Sequence, residues 1–178
     1  MLIASQIVGL CAVGLYLLSY QLKKRTHIVW VTCVSNALYV TQYLMLGAFS
    51  GAVMDFMSTV SSFFAGKKNS PRLKPFAKQI ATVNILMIIA VGLAIACIRR
   101  NPLELLPIAG AVFQTVGLWC EDEQKIRRFG LLCSPFWFVY NFMSRAYGAS
   151  LGSVLAIVSA LTALLRYRRG KKEHKTTE

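Results

Sequence analysis

The chain has 178 residues, a formal net charge of +13, 15% charged residues and 56% apolar residues. A soluble domain carries about 25% charged and about 45–50% apolar residues. The apolar residues also fall in runs near the ~20 residues that cross a bilayer. Composition therefore argues against a single soluble core and predicts an all-α membrane protein.

Seven apolar runs follow one another along the chain. They are Leu2–Leu22, His27–Leu46, Ser50–Ala65, Gln79–Ile98, Leu103–Trp119, Phe129–Met143 and Ala149–Leu165. The loops are short except for a segment before the fourth run, which contains Pro71, Pro75 and several basic residues. We expect a first triple-helix bundle (1–66), a basic loop with a connecting helix (67–101), a second triple-helix bundle (102–167) and a basic tail (168–178). This pattern predicts seven transmembrane helices arranged as 3+1+3.

Basic residues are distributed unequally between the two ends of these runs. With seven crossings, 17 of the 20 Lys and Arg residues share one face, and only Arg99, Arg100 and Arg145 lie on the other. Basic residues in short loops favour the cytoplasmic side. The N-terminus is therefore predicted outside and the C-terminus in the cytoplasm. Because the charges flank apolar spans, they favour anionic lipid headgroups as partners and argue against nucleic acid.

Two glycine pairs indicate an internal repeat. Gly47 and Gly51 flank the start of the third run, and Gly148 and Gly152 flank the start of the seventh, 101 residues later. The pair of basic residues at Lys23 and Arg25 recurs 102 residues later, at Lys125 and Arg127. One connecting helix between the copies would make both enter the membrane from the same side, as in parallel-repeat transporters.

Motifs of soluble enzymes are missing from this sequence. His27 and His174 lie at a helix end and in the tail, where neither can orient a buried nucleophile. The five cysteines are scattered without a Cys-x-x-Cys pair. The acidic run Glu121–Glu123 is expected to be a solvated loop that pairs locally with the basic residues of 125–128. We therefore predict no enzyme, no metal site and no cofactor.

The second half of the chain resembles the bacterial inner-membrane YgjV family. The residues that carry the resemblance are Glu104, Leu105, Leu106, Pro107, Ile108 and Gly110, then Tyr140, Asn141 and Phe142, then Gly148, Gly152 and Leu165–Arg168. The first half, from Gly14 to Phe64, matches more loosely. This family is similar in architecture to the SWEET, PQ-loop and KDEL-receptor group, so the resemblance implies a fold more strongly than an activity.

The resemblance also implies where a solute site and its hinges would lie. SWEET-like proteins use prolines as hinges, and Pro107 and Pro135 match in the second copy alone. They surround substrate with side chains from the second and third helix of each triplet. The second helices offer Asn36, Tyr39 and Tyr43 in one copy and Trp137, Tyr140 and Asn141 in the other. The third helices offer Asp55 with Ser58, and Ser159 with Thr162.

Asp55 is the most informative of these candidates, because ionisable groups within membrane spans usually face a cavity or a partner. The alternative is that it lies in the first turns of its helix, where the helix dipole favours an anion and water reaches it. Glu104 is expected to pair with Arg99 and Arg100.

Three functions are compatible with this pattern. The first is a multi-pass transporter or facilitator of a small polar metabolite, with its site between the two triplets and with an acidic wall. The second is a ligand-binding membrane receptor or sensor that uses the same cavity, and the third is a structural membrane protein without transport activity. The expected partners are the lipid bilayer and a small polar solute, and an oligomer is compatible with all three.

Overall fold

The computed structural model describes residues 2–176, without the side chains of Ala160 and of residues 163–176. Seven α-helices make up most of this part of the chain. They are α1 (Leu2–Gln21), α2 (Arg25–Leu46), α3 (Phe49–Lys67), α4 (Ala77–Arg99), α5 (Leu105–Trp119), α6 (Glu123–Met143) and α7 (Tyr147–Thr176). Short 3₁₀ turns precede α4 (Lys74–Phe76) and α5 (Pro102–Glu104). The all-α class predicted from composition is confirmed for these residues.

The last two helices are longer than their apolar runs. α6 begins at Glu123, where the Asp122 carboxylate accepts a hydrogen bond from the Gln124 backbone N–H at 2.9 Å. Such an N-cap satisfies a backbone donor that the helix leaves free, so the charged first turns are helical as well. α7 continues to Thr176, so most of the predicted tail has a helical backbone. The basic side chains predicted there, from Arg166 to Lys175, lie outside the described side chains.

Among the residues that the structure describes, four helical segments are long and apolar enough to cross a membrane. They are Leu2–Gln21, Arg25–Leu46, Lys74–Arg99 and Pro102–Trp119. The other three predicted spans correspond to α3, α6 and α7, and within α7 the apolar helical stretch is Tyr147–Ser159. Length and composition therefore establish a helical membrane protein with several spanning segments.

Six helices pack into a closed ring. In spatial order, α1 contacts α2, α2 contacts α3, α3 contacts α5, α5 contacts α6, α6 contacts α7, and α7 contacts α1. α4 packs outside this ring against α3 and α5, and only Ile88 and Gly92 of its residues are buried. A Cβ atom on Gly92 would overlap the Ile108 side chain, so this glycine lets α4 approach α5 closely. The ring encloses the space in which the candidate site lies.

The two ends of the ring differ in character. At one end, here called the basic end, the termini of α1, α2, α3, α5 and α6 meet around Arg25, Lys68 and Arg127. At the other, here called the opposite end, the C-termini of α2, α4 and α6 surround a shallow cleft. Helix ends that the charge pattern assigned to one face therefore do lie together.

The glycine pairs that suggested a repeat do not occupy equivalent positions. Gly47 ends α2 in the left-handed conformation (φ 71°), where glycine carries no Cβ penalty, whereas Gly148 lies in the first turn of α7. The residue that ends α6 in this conformation is Arg145 (φ 60°). Both turns close with the same pair of backbone hydrogen bonds, from Gly47 and Ala48 in one and from Arg145 and Ala146 in the other. The equivalent turn residues are thus 98 positions apart, and the offset of 101 read from the glycines is wrong.

Candidate functional site

A small cavity lies at the centre of the ring. Its walls are formed by Tyr16, Asn36, Tyr39, Tyr43, Asp55, Gln114, Ser134, Trp137, Asn141 and Ser153. The volume open to the centre of a water molecule is about 30 Å³. Since a buried water needs about 10–15 Å³ measured in this way, the cavity has room for about two waters. The cavity is therefore far smaller than a sugar-sized metabolite in this conformation.

The lining residues fall into five pairs with a constant sequence separation. Tyr43 and Asn141 are 98 residues apart. The same separation relates the other four pairs, which are Tyr16 with Gln114, Asn36 with Ser134, Tyr39 with Trp137 and Asp55 with Ser153. Each member of a pair comes from the corresponding helix of its half. The paired lining residues thus share one sequence separation and differ in chemistry.

The structure brings most of the predicted site residues to this one cavity. Asn36, Tyr39, Tyr43, Asp55, Trp137 and Asn141 all line it. Tyr140 does not, because its ring packs on the backbone of α3 at the opposite end and its hydroxyl accepts a hydrogen bond from the Gly51 N–H at 2.8 Å. That any of these residues binds a solute stays a prediction.

Four lining residues were not among the predicted site residues. Tyr16 and Gln114 come from α1 and α5, and Ser134 and Ser153 from α6 and α7. On α7, the predicted Ser159 instead accepts a hydrogen bond from Gln21 Nε2 at 3.0 Å. Ser153 was not predicted because the glycines indicated a separation of 101, whereas a shift of 98 from Asp55 leads to Ser153.

Hydrogen bonds join the lining residues, two of them from one half to the other. The Tyr43 hydroxyl donates to Asn141 Oδ1, and Asn141 Nδ2 donates to Ser153 Oγ at 3.5 Å. Gln114 Nε2 donates to Asn36 Oδ1 at 2.9 Å, which leaves Asn36 Nδ2 buried without a partner among the described residues. Buried polar groups are nearly always paired, so this free donor is suited to a water molecule or a ligand in the cavity.

Asp55 is the one charged residue in the cavity wall. It is 3% exposed, and none of the salt bridges among the described residues involves its carboxylate, while its hydrogen bond with Thr59 is made by the backbone carbonyl. The residue lies in the second turn of α3 and lines the cavity, and a role in binding a solute stays a prediction. A buried carboxylate without a counter-ion is expensive inside a membrane and usually marks a functional position.

Aromatic rings cover much of the remaining wall. Tyr39 stacks on Tyr43 with ring centroids 6.3 Å apart, and Tyr43 stacks on Trp137 at 6.2 Å. Glycine makes room for the indole, since a Cβ on Gly110 would lie 2.7 Å from Trp137 Nε1. With Tyr16, the cavity therefore combines one carboxylate, several amide and hydroxyl groups, and four aromatic side chains.

The two predicted hinge prolines occupy different positions in their helices. Pro107 is in the first turn of α5, where a helix N–H has no intrahelical partner and proline costs no hydrogen bond. Pro135 lies inside α6, where it removes the bond to the carbonyl of Leu131. Of the two, Pro135 is the better placed to bend a helix, and the hinge role of both stays a prediction.

Two buried arginines close the basic end, each reaching from one half to the helix ends of the other. From α2, Arg25 donates through Nε to the Cys120 carbonyl and through Nη2 to the Leu118 carbonyl, both at 2.8 Å, and also to the Ala65 carbonyl at 3.1 Å. These carbonyls belong to the last turns of α5 and α3, which lack intrahelical donors. The guanidinium also matches the negative end of the helix dipoles.

Arg127 makes the reciprocal contact. From α6, it donates through Nε to the Tyr20 carbonyl at 3.2 Å and through Nη2 to the Leu22 carbonyl at 2.8 Å, at the end of α1. Two of the carbonyls bound by Arg25, those of Leu118 and Cys120, lie 98 positions after the two bound by Arg127. Both arginines are 8% exposed, so they are structural clamps between the halves rather than charges facing lipid headgroups.

The acidic loop also pairs across the molecule rather than locally. A salt bridge of 2.8 Å joins Glu121 to Lys68. The Lys68 ammonium also donates a hydrogen bond to the Trp119 carbonyl at 2.6 Å. A longer contact of 3.9 Å joins Glu121 to Arg25. The prediction of pairing with residues 125–128 is therefore wrong for Glu121, because the end of α3 brings Lys68 closer.

The Lys68 contact predicts a weak pH dependence of stability. The hydrogen bond and charge of Lys68 lower the pKa of the Glu121 carboxyl below its ordinary value. A lowered folded-state pKa contributes stability above the unfolded pKa and loses it as pH falls through the folded one. We expect Glu121→Gln to lower the free energy of unfolding by at most about 1 kcal/mol near pH 7, because the carboxylate is exposed. Thermal unfolding in detergent from pH 7 to pH 3 should show this difference vanish in acid, and a difference that grows in acid would contradict the pairing.

The opposite end is closed by contacts of another kind. The Gly51 backbone binds the Tyr140 hydroxyl, and Gln6 of α1 joins the start of α7 by accepting from the Gly148 N–H at 3.1 Å and donating to the Arg145 carbonyl at 3.2 Å. The predicted pairing of Glu104 is confirmed for Arg99, at 3.7 Å. Contacts between the two halves thus join the helices at both ends of the ring.

Gly51 is expected to tolerate no side chain. A Cβ there would lie 2.7 Å from Tyr140 Cε1 and 3.0 Å from its hydroxyl, whereas nothing lies within 4 Å of a Cβ on Gly14. We expect Gly51→Ala to destabilise the protein by about 1–3 kcal/mol through overpacking. The matched control Gly14→Ala should be neutral or stabilising by up to about 1 kcal/mol, since it adds helix propensity. Thermal unfolding followed by tryptophan fluorescence measures both, and equal effects would argue against the contact.

One protein-family model matches nearly the whole chain. The model of the Imp-YgjV family, described as bacterial inner membrane protein, matches residues 3–171. No curated protein and no solved structure matches significantly. The family match covers nearly the whole chain, including both halves of the ring, and its description agrees with the apolar helices. The chain therefore belongs to the YgjV family and is a multi-pass protein of the bacterial inner membrane.

Proposed function

We propose that this protein transports or facilitates the passage of a small polar solute across the inner membrane, using the central cavity as its binding site. The observation that carries the proposal is Asp55, a buried carboxylate without a counter-ion that faces a cavity between two halves of a helical ring. A purely structural membrane protein has no use for such a costly group. The free amide donor of Asn36 in the same cavity adds a second group in need of a partner.

The proposed architecture is a parallel repeat of two three-helix units, α1–α3 and α5–α7, with α4 as the connecting helix. It is supported by the five residue pairs 98 positions apart and by the ring order of the helices, with α4 outside. If all seven helices cross, the single connecting helix makes α1 and α5 start on the same side. This is the arrangement of SWEET-like transporters, in which substrate sites lie between the repeats near the bilayer midplane.

The proposed orientation places the basic end in the cytoplasm. Seventeen of the 20 Lys and Arg residues belong to loops and termini assigned to this end. Short loops rich in these residues remain on the cytoplasmic side. Some of them, such as Arg72, Lys74 and Lys78, are exposed and suited to anionic lipid headgroups, a contact worth about 1 kcal/mol per basic residue.

Access to the cavity would alternate between the two ends. The arginine clamps at the basic end and the Gly51–Tyr140 and Gln6–Gly148 contacts at the opposite end all join one half to the other. Rocking of the two triplets against each other would break one set while keeping the second. The conformation described here, with both sets formed and room for about two waters, would be the occluded one.

Transport is tested by reconstitution. The purified protein in liposomes is given a panel of labelled polar metabolites and small ions, and the same panel is screened by thermal shift in detergent. Saturable uptake with stabilisation by the same solute supports the proposal. Stabilisation without uptake overturns transport and favours the receptor or sensor that the closed cavity also suits. No response in either screen overturns a solute site altogether.

A further inference from the structure

The charge of the cavity restricts what it can bind. Asp55 carries one carboxylate, and its counterpart at the symmetry-related position is the neutral Ser153. The salt bridges among the described residues involve Glu121 and Glu104 and leave the Asp55 carboxylate without a cation. When the Asp55 carboxyl is ionised, its single buried negative charge is balanced by a single positive one, so the wall then favours a monovalent cation over a neutral or anionic solute.

The size of the cavity restricts the ligand further. About 30 Å³ is open to the centres of water molecules, which corresponds to about two waters. An ammonium ion is similar in size to a water molecule, and methylammonium is similar in size to two. Amino acids and sugars would require the triplets to separate before they could enter.

The aromatic wall distinguishes between classes of cation. Tyr39, Tyr43 and Trp137 surround the cavity, and ligand ammonium groups are attracted to the faces of such rings. An alkali ion instead needs oxygen ligands that replace its hydration shell. An ammonium ion can donate hydrogen bonds to the Asp55 carboxylate and to wall oxygens while it contacts the rings.

We propose that the central cavity binds an ammonium-type cation, either ammonium or a short primary amine such as methylammonium, with Asp55 as its counter-charge. This assignment rests on the cavity of the proposed function and deepens it by naming a ligand class. It does not require that the bound cation is transported. Binding and passage are therefore tested separately.

Binding is measured by thermal shift of the full-length protein in nanodiscs at pH 7 and constant ionic strength. The probes are ammonium chloride and methylammonium chloride, with sodium chloride, potassium chloride and formamide for comparison. A ligand that binds the folded state raises the unfolding temperature in a saturable way. We expect this response for the two ammonium salts. Equal shifts with sodium, potassium or formamide would overturn the assignment.

Variants use the approximate symmetry of the cavity. Asp55→Asn should weaken ammonium binding by at least about tenfold, whereas the exposed aspartate variant Asp122→Asn should bind like the wild type. The double variant Asp55→Asn/Ser153→Asp moves the carboxylate to the opposite wall and should restore binding. Unchanged binding in Asp55→Asn, or no restoration in a folded double variant, would overturn a role for the cavity carboxylate.

The binding and uptake experiments distinguish failure of the cation site from failure of the transport proposal. Liposome uptake of a neutral solute without ammonium binding overturns the cation assignment and leaves transport standing. Ammonium binding without uptake of any solute supports the cation site and overturns transport.

Discussion

Asp55→Asn is expected to abolish solute uptake while making the protein more stable. The carboxylate is buried among the cavity side chains without a counter-ion, so it lowers the stability of the empty protein. Asparagine has nearly the same shape and no charge, and it removes this cost. Each kcal/mol gained should raise the unfolding temperature by about 2–4 °C for a chain of this size. The initial rate of uptake in liposomes should fall by at least about tenfold.

The combination of these two effects separates a functional role from a structural one. A residue that only supports packing loses stability and activity together, whereas a strained functional group is expected to trade one for the other. The matched control is Asp122→Asn, because Asp122 is exposed and asparagine is an equally good N-cap there. Full uptake by Asp55→Asn, or a lower unfolding temperature, would contradict the proposed role.

Arg25→Ala is expected to open the basic end of the ring. The variant removes three hydrogen bonds from a guanidinium to buried carbonyls of α3 and α5, which then remain without donors. Hydrogen bonds to charged groups contribute about 1.5–3 kcal/mol each in soluble proteins, and polar contacts within membranes contribute less. We expect a loss of about 2–4 kcal/mol in the free energy of unfolding. Arg127→Ala should act in the same direction through α1.

Cysteine labelling measures the opening directly. Cys133 is fully buried between the cavity and the basic end, whereas Cys11 and Cys97 are on the exterior of the helix bundle and serve as internal references. Peptide-resolved mass spectrometry after N-ethylmaleimide treatment should show faster labelling of Cys133 in both arginine variants, with constant rates at the references.

The controls for the clamps are the neighbouring exposed residues. Lys24→Ala and Arg128→Ala remove the same charge next to each clamp without removing a hydrogen bond to a helix end. They should leave the labelling of Cys133 and the unfolding temperature unchanged. Equal effects in all four variants would mean that total charge, rather than the clamp geometry, holds the basic end closed.

Much of the fold was predictable because the bilayer imposes its own length scale on a helix. Each predicted apolar run corresponds to one helix, and the largest error in a helix start was six residues, at Glu123 of α6. That error arose because an apolar run marks the part of a helix in lipid, whereas capping and backbone hydrogen bonds mark the helix itself. The charged first turns of α6 are capped and hydrogen-bonded as a helix although they are not apolar.

The candidate site was predictable in part. Asp55, Asn36 and the aromatic residues stand out because polar and ionisable groups are rare within apolar runs. Ser153 and Ser134 do not, since serine is common in membrane helices and carries no distinguishing charge. Each of them lies 98 positions after another lining residue. The glycine pairs indicated a separation of 101 instead, because Gly47 ends a helix while Gly148 begins one.

The sequence by itself determined the membrane class and the number of helices in the described part of the chain, and it singled out Asp55 as a candidate. These follow from composition and from local patterns along the chain. Only the tertiary structure decided which residues meet: that Asp55 and Ser153 line the same water-sized cavity, that Tyr140 lies outside it, and that Arg25 and Arg127 bind the helix ends of the other half. Such contacts depend on the rotation and depth of packed helices, and a shift of one turn would pair different side chains while leaving the hydrophobic pattern unchanged.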